Sequence, residues 1–228
     1  MAKPVAKNNP QRGNILLMKR LGVVTFLVAA LLGSNLVFSS EKVFKVIDGD
    51  TFILDGNKQA VRLFGVDAPE LANCYGHESY LHLSELLKSK RVQLREPVVD
   101  KFRRIVALVY VDGKSINESM IRDGFATYRS EPGSEQQVMK AANEYIRTNK
   151  IGIYSEKCVD EKPPDPKCVI KGNHDLDRDE FLYLTPKCPY YSQVTIRRFQ
   201  GDRWFCSESE AKAACFKISP ACAIGIAH

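Results

Sequence analysis

The feature that most constrains the fold is a series of short runs rich in β-branched and aromatic residues, separated by turn signals. The first three runs are KVFKVID, TFILD and QAVRLFGVDA, with a turn at residues 56–58 before the third. Runs of this length and composition favour strands, and their close spacing favours an antiparallel meander. RVQLREPVV and RIVALVYVDG supply two more. The sequence therefore predicts five short strands.

Helical patterns lie between and after these strands. Apolar residues at helical spacing predict a helix over residues 79–90. A second helix, SINESMIRDG, is expected to end at Gly124, and a third is expected over residues 134–150. Five strands with three helices indicate an α+β fold, mainly β, in which a small closed barrel of the OB type carries a helical side.

The N-terminal segment has the layout of an export signal. Residues 21–38 are uncharged and mostly apolar, and a basic pair precedes them. This pattern is typical of a secretory signal or a signal anchor, so we expect residues 1–40 to direct export. Cleavage after Ser39 is the first expectation, and retention of residues 21–38 as a membrane anchor is the second. Met18 is an alternative start.

The net charge gives no direct indication of a nucleic-acid partner. The formal charge is +6, and the first 20 residues contain five basic residues and no acidic ones. The remaining charges nearly cancel. Any argument for nucleic-acid binding must therefore rest on local placement of charge.

The seven cysteines point to disulfides. Six of them fall in the last third of the chain, and in an exported protein such crowding predicts cross-links. No C-x-x-C pair occurs, so a zinc site is not expected. The odd number leaves at least one cysteine without an intramolecular partner. We expect Cys74 to pair with Cys158 rather than to act as a catalytic thiol.

A change in composition predicts a domain boundary. The prolines of EKCVDEKPPDPKC indicate a stiff linker over residues 158–166. It would join a barrel domain, residues 41–157, to a small Cys-rich module, residues 167–228. A module of this size needs cross-links for stability. Its DLDRDE segment is expected to be a polar hairpin turn.

Three carboxylates in the first strands suggest a reactive site. Asp50 starts the second strand, Asp67 ends the third, and antiparallel pairing can bring them together. Two carboxylates at one end of a barrel repel each other unless a cation intervenes, and hard oxygen ligands in a partly loop-borne site favour Ca²⁺. Glu70 follows Pro69 on a stiffened loop and can act on a water molecule.

Basic and aromatic residues complete this set. Arg62 and an arginine of the DKFRR segment can clamp one phosphate, because guanidinium forks match phosphate oxygens. Arg62 and Asp67 are five residues apart and would face opposite sides of a regular strand, so a bulge or strand end must intervene. Tyr128 can stack on a base. A cation, a carboxylate base and two arginines suit phosphodiester hydrolysis.

These residues carry a family resemblance. The segments VIDGDTFIL, VRLFGVDAPE, DKFRRIVALVYVDGKSINESMIRDGFA and NKIGIYSE resemble the staphylococcal nuclease (thermonuclease) family. The resemblance covers about half the chain, residues 41–156. It implies a five-stranded OB-type barrel with three helices that hydrolyses DNA and RNA with Ca²⁺. The C-terminal segment resembles a small module often appended to exported nucleases of this family.

The resemblance also implies a role for each matching residue. Phe102 stands where a tyrosine is common, and the loop after Glu70 is shorter than in the type member, which affects the shape of the cleft. The implied roles are calcium binding by Asp50, Asp67 and the backbone carbonyl of Ala68, catalysis by Arg62, Glu70 and Arg104, substrate binding by Lys101 and Phe102, and a secondary acidic role for Asp48.

The sequence thus predicts an exported, calcium-dependent, sugar-nonspecific endonuclease. We expect a monomer that acts on DNA, RNA or both, and that contacts a membrane only through an uncleaved N-terminal segment. Two alternatives stay open. One is a non-catalytic OB-type module that binds nucleic acid, against which the intact set of charged residues argues. The other is an envelope protein whose Cys-rich module binds surface components.

Overall fold

The computed structural model describes residue 1, residues 40–176 and residues 178–224. The predicted leader, its cleavage site at Ser39 and the alternative start at Met18 lie outside the described residues. Within the described part of the chain, no helix is both long enough and apolar enough to cross a membrane.

The first part of the described chain alternates short strands with three helices. In chain order the elements are β1 (Ser40–Val46), β2 (Thr51–Leu54), β3 (Ala60–Leu63), β4 (Val66–Asp67), α1 (Gly76–Leu87), β5 (Arg91–Val99), β6 (Ile105–Val111), β7 (Lys114–Ser115), α2 (Ile116–Arg122), β8 (Thr127–Tyr128) and α3 (Gln136–Thr148).

Five of these strands form the closed barrel that the sequence predicted. β2 pairs antiparallel with β1 and β3, and β5 pairs antiparallel with β1 and β6. The parallel pair between β3 and β6 closes the cylinder. Closure leaves no free edge between these strands, which protects a small sheet from pairing with other chains. The mainly β, α+β barrel with three helices is confirmed.

The helices differ from their predicted bounds by a few residues. α1 begins at Gly76 and ends at Leu87, three residues earlier at each end than predicted. It ends at Leu87 because Lys88 turns to an extended conformation. α2 is capped by the Ser115 hydroxyl, which accepts a hydrogen bond from the Glu118 N–H. α3 falls inside the predicted range of residues 134–150.

One apolar core joins the barrel to its helices. Phe52 and Val109 from the strands and Leu83 and Ile146 from the helices are fully buried in it. The amide of Asn117 is also fully buried; it accepts from the Val109 N–H and donates to two backbone carbonyls. These bonds satisfy the buried polar group and fix α2 against β6.

The C-terminal region, called the module below, consists of short elements. They are β9 (Val159–Asp160), β10 (Ile170–Asp175), β11 (Glu180–Leu184), β12 (Ile196–Arg197), β13 (Arg203–Phe205), α4 (Glu208–Ala213), β14 (Lys217–Ile218) and α5 (Pro220–Ile224). A four-stranded sheet has the order β13-β10-β11-β14. β10 and β11 form an antiparallel hairpin whose turn is the DLDRDE segment, as expected.

Three disulfides occur in the described chain, and Cys215 is free and exposed. One joins Cys74 to Cys158, as the sequence indicated. Disulfides persist in oxidising compartments, so the cross-links indicate such an environment. The three bonds are Cys74–Cys158, Cys168–Cys206 and Cys188–Cys222.

The module packs directly on the barrel. Phe199 is buried in a cluster with Ile153 and Cys158, and its ring meets Tyr154 edge-on with centroids 5.2 Å apart. Within the predicted linker, β9 pairs with β12 of the module. The described residues from Ser40 onward belong to one compact unit. The division into domains at residues 158–166 stays a prediction.

Candidate active site

Asp50 lies in the tight turn between β1 and β2 and is only 3% exposed. Its backbone N–H donates to the Asp48 carboxylate at 3.0 Å. Its own carboxylate accepts bonds from the Thr51 hydroxyl at 2.8 Å and from the Ala68 N–H at 3.2 Å. The turn therefore holds this buried carboxylate in a fixed orientation beside Ala68.

Arg62 bridges two carboxylates. One terminal nitrogen donates to Asp50 at 2.6 Å, and the other donates to Asp67 at 2.9 Å. Both contacts are possible because the strand is interrupted at Gly65. This residue has φ +68°, a conformation that favours glycine. The predicted third strand does not run on to Asp67. It ends at Leu63, and Asp67 belongs to the separate strand β4, which pairs with β8.

This cluster has unusual electrostatics. Burial raises the pKa of Asp50 to about 7, Arg62 opposes this rise and Asp48 adds to it. Burial would lower the pKa of Arg62, but the carboxylates of Asp50, Asp67 and Asp48 raise it above its ordinary value. One guanidinium thus faces three carboxylates, and an additional cation would stabilise the ionised form of Asp50.

Glu70 lies at the exposed rim of the same region. Its carbonyl accepts a bond from the Asn73 N–H at 2.8 Å. The start of α1 is pressed against this carbonyl, since a Cβ added to Gly76 would lie 1.9 Å from the Glu70 oxygen. Only glycine allows this approach, so the backbone that carries Glu70 is held tightly.

Arg104 is held by Asp100. The Asp100 carboxylate accepts from the Arg104 backbone N–H and from its Nε, both at 2.9 Å. The parallel pairing of β3 with β6 aligns Val61 with Ile105, which brings Arg104, the residue before β6, close to the strand that carries Arg62. Arg104 lines a side pocket of about 160 Å³, and Arg62 lines this pocket as well.

A larger opening, the main cleft, has a volume of about 620 Å³. The main cleft brings together most of the predicted site residues. Asp50 is instead buried and bonded to Arg62, and Arg104 lines the side pocket. Phe102 is 66% exposed, and the Lys101 Nζ lies 5.0 Å from its ring centroid. The predicted residues that line the main cleft are Arg62, Asp67, Ala68, Glu70, Lys101 and Phe102.

Tyr128 and Arg129 have unexpected placements. The Tyr128 hydroxyl donates to the Glu131 carbonyl at 2.9 Å, and its ring packs over Gly65, so it is not among the residues lining the main cleft. Arg129 lines both the main cleft and the side pocket. Sequence reasoning missed Arg129, because the pairing of β8 with the Asp67 strand, which brings it to the cleft, leaves no local pattern.

The residues can hold a hard cation. Asp50 and Asp67 supply carboxylate oxygens, and the backbone of Ala68 lies beside Asp50, to which its N–H donates. Carboxylate and carbonyl oxygens are the ligands that Ca²⁺ and Mg²⁺ prefer. Burial is the main cause of the raised pKa of Asp50, and a cation bound beside it would lower this pKa because it favours the ionised carboxylate.

The barrel and the cleft together define the class. A closed OB-type barrel presents carboxylates and arginines in one cleft, which is side-chain chemistry suited to phosphodiester hydrolysis. Residues 60–156 match the family model described as staphylococcal nuclease homologue. The chain belongs to the staphylococcal nuclease family.

Three relatives illustrate this membership. An uncharacterized endonuclease of Haemophilus influenzae is 33% identical over 128 residues, which cover 55% of this chain and 69% of the relative. Endonuclease YncB of Bacillus subtilis is 33% identical over 126 residues, which cover 49% of this chain and 60% of the relative. A micrococcal nuclease of Shigella flexneri is 28% identical over 134 residues, which cover 53% of this chain and 76% of the relative. These relatives support nuclease activity.

Proposed function

We propose that this protein is an exported, calcium-dependent endonuclease that hydrolyses phosphodiester bonds of DNA, RNA or both. The observation that carries the proposal is the position of Arg62, which is held between Asp50 and Asp67 at the base of a cleft. Glu70 stands at the rim of that cleft. Phosphate contacts of this kind do not read the sugar, which supports a sugar-nonspecific enzyme.

The proposed calcium ligands are Asp50, Asp67 and the carbonyl of Ala68. When bound, calcium supplies Lewis-acid stabilisation of the negative charge that develops on the phosphoryl oxygens. Asp48 orders the turn by accepting the Asp50 N–H. The family is typically metal-dependent, and the choice of calcium rests on the hard oxygen donors and the partly loop-borne site.

The side chains carry the rest of the reaction. Glu70 accepts a proton from water as the water oxygen attacks phosphorus in line. The bond from phosphorus to the 5′-oxygen breaks, and the leaving oxygen takes a proton from solvent while Glu70 returns its own to solvent, which gives a 3′-phosphate and a 5′-hydroxyl. Arg62 and Arg104 donate to the phosphoryl oxygens, and Asp100 keeps the Arg104 guanidinium oriented.

Location and assembly follow from other features. The apolar N-terminal run and the three disulfides support export to the cell surface, the periplasm or the medium. A membrane would be contacted only through residues 21–38 if they are retained. We propose that the protein acts as a monomer on its nucleic-acid substrate.

The test is hydrolysis of single-stranded DNA by the full chain, with Ca²⁺ or with a chelator. Glu70→Gln is expected to lower the rate about 10²- to 10⁴-fold, because it removes the proton acceptor. Glu85→Gln is the matched control, since Glu85 is an exposed residue of α1 that forms a surface ion pair with Lys88. A folded wild-type protein that is inactive with Ca²⁺ would favour the binding module instead.

A further inference from the structure

One side of the main cleft does not belong to the barrel. Its lining includes His174, Leu176, Arg178 and Asp179 from the β10–β11 hairpin. Phe199 and Gln200, from the short 3₁₀ segment after β12, line it as well. All of these residues lie beyond residues 60–156, the part of the chain that matches the family model. We call them the module wall.

The module wall is fixed to the loop that carries Glu70. The disulfide between Cys74 and Cys158 anchors this loop to the start of the module. The Asn73 side-chain amide donates to the Phe199 carbonyl at 3.5 Å, and the Phe199 ring is buried. Because packed side chains and a cross-link join the two, the Phe199 part of the wall is held beside the loop that carries Glu70.

The module wall offers one guanidinium to a phosphate. The Arg178 side chain is 63% exposed, and its ion pair with Asp175 is long, at 3.8 Å. Asp179 lies beside it, but its carboxylate is bonded to the His174 ring at 3.0 Å. The exposed guanidinium of Arg178 therefore has donors that a phosphate in the cleft can use, although the acidic residues of the DLDRDE segment outnumber it. The contact proposed below is accordingly a local charge-assisted hydrogen bond and not the effect of a positive surface.

The barrel contributes further cations to the same cleft. Lys101 and Arg129 line it, together with the exposed ring of Phe102. A strand that places its scissile phosphate at Arg62 therefore lies in an opening that the module wall also lines. A flexible single strand, which carries one phosphate per nucleotide and unstacked bases, matches a cleft that contains several cations and an exposed aromatic ring.

We propose that the module wall forms a nucleotide subsite beside the scissile phosphate, in which Arg178 contacts a backbone phosphate of single-stranded nucleic acid. The inference rests on the proposed function, because it places the strand that is cut in the main cleft. It gives the C-terminal module a direct part in substrate binding. Arg178 is a binding residue here and takes no part in the proton transfer.

Binding titrations with the full chain test this inference. The background variant is Glu70→Gln in the presence of Ca²⁺, and the probe is a fluorescent single-stranded DNA 12-mer followed by anisotropy. We expect Arg178→Ala to raise the Kd three- to tenfold. Loss of one phosphate contact should also lower the slope of log K against log salt by about 0.7. A dinucleoside monophosphate, which has the scissile phosphate but no second phosphate for Arg178, is expected to bind equally well to Arg178→Ala and to its background.

Lys187→Ala is the matched control. Lys187 is an exposed cation of the module that does not line the main cleft, and its loss is expected to change the Kd by less than twofold. A folded Arg178→Ala variant that binds the 12-mer as tightly as its background, with the same salt slope, overturns the inference. A change of equal size with Lys187→Ala overturns it too, since it would reveal only the general charge of the module.

The outcomes separate this inference from the proposed function. If the wild type cuts DNA and Arg178→Ala binds normally, the subsite fails and the nuclease stands. If the wild type does not cut DNA but Arg178→Ala weakens binding selectively, the wall binds nucleic acid and the nuclease fails. If the 12-mer does not bind at all, both proposals fail.

Discussion

The barrel and the module reach stability by different routes. The barrel has one large apolar core, in which Phe52, Leu83 and Met120 are fully buried. It needs no internal disulfide, because Cys74 is the single cysteine of residues 41–157. The largest apolar cluster of the module contains only five buried residues, and two disulfides lie within the module itself.

This difference follows from size. A small unit buries a smaller fraction of its surface, so packing alone contributes less to its stability. The barrel can therefore place charged groups such as Asp50 and Arg62 beside its core and still fold. The module depends on cross-links, and one further disulfide ties it to the loop after Glu70. The site chemistry thus lies on the self-supporting part, and the module wall lies on the cross-linked part.

The largest expected effect comes from a cavity in the barrel core. Leu83→Ala should lower the free energy of unfolding by about 2–5 kcal/mol, because Leu83 is fully buried. Leu81→Ala is the control on the same helix, and it should change stability by no more than about 0.5 kcal/mol, since Leu81 is 50% exposed. Urea unfolding followed by far-ultraviolet circular dichroism measures both. Equal losses would show that α1 does not bury one face in a single core.

A second prediction concerns the cross-links of the module. The double variant Cys188→Ser/Cys222→Ser opens a loop of sequence separation 34 and should destabilise the module by about 3 kcal/mol. The chain has a single tryptophan, Trp204 in β13, so its fluorescence reports the module. Cys215→Ser, which removes the free thiol, is the control and should leave this signal unchanged. Hydrogen exchange of barrel amides should stay the same; faster exchange there would mean that the two regions unfold as one.

A smaller effect should depend on pH. Burial raises the pKa of Asp202 to about 6, although the Arg197 and His174 N–H groups, which donate to its carboxylate, oppose this rise. The folded state therefore holds the proton more tightly than the unfolded state does. The stability that Asp202 contributes is full below about pH 4 and is lost as the pH rises through 6.

Asp202→Asn isolates this contribution, because the amide does not titrate. Relative to this variant, the wild type should lose about 2–3 kcal/mol of stability between pH 4 and pH 7. Urea titrations of Trp204 fluorescence at several pH values provide the measurement. A stability difference that stays constant across this range would show that Asp202 keeps an ordinary affinity for its proton.

Local patterns predicted most of the barrel. The strands were visible because β-branched runs of four to nine residues alternate with turns, and the helices because apolar residues repeat at helical spacing. The sequence predicted an interruption of the strand between Arg62 and Asp67, because these residues are five apart and would otherwise face opposite sides. The structure places this interruption at Gly65. Its consequence, the separate strand β4 paired with β8, depends on a partner 60 residues away in the chain.

Long-range packing explains what the sequence did not reveal. Arg129 is one basic residue among many until β8 pairs with β4 and turns it toward the cleft. The stacking role of Tyr128 stays a prediction; its hydroxyl donates to the Glu131 carbonyl, a contact that the sequence did not indicate. The placement of Arg178 beside the cleft depends on the docking of Phe199 and on the Cys74–Cys158 disulfide, and neither leaves a local pattern.

The most direct test of this account measures binding and chemistry separately on one substrate. Single-turnover cleavage of the same 12-mer with Ca²⁺ gives a rate constant and a Kd for each variant. Glu70→Gln should lower the rate constant about 10²- to 10⁴-fold with a nearly unchanged Kd. Arg178→Ala should raise the Kd three- to tenfold with a nearly unchanged rate constant. If Glu70→Gln cleaves at the wild-type rate, or if both variants alter the same constant, the division between a catalytic barrel and a binding wall is wrong.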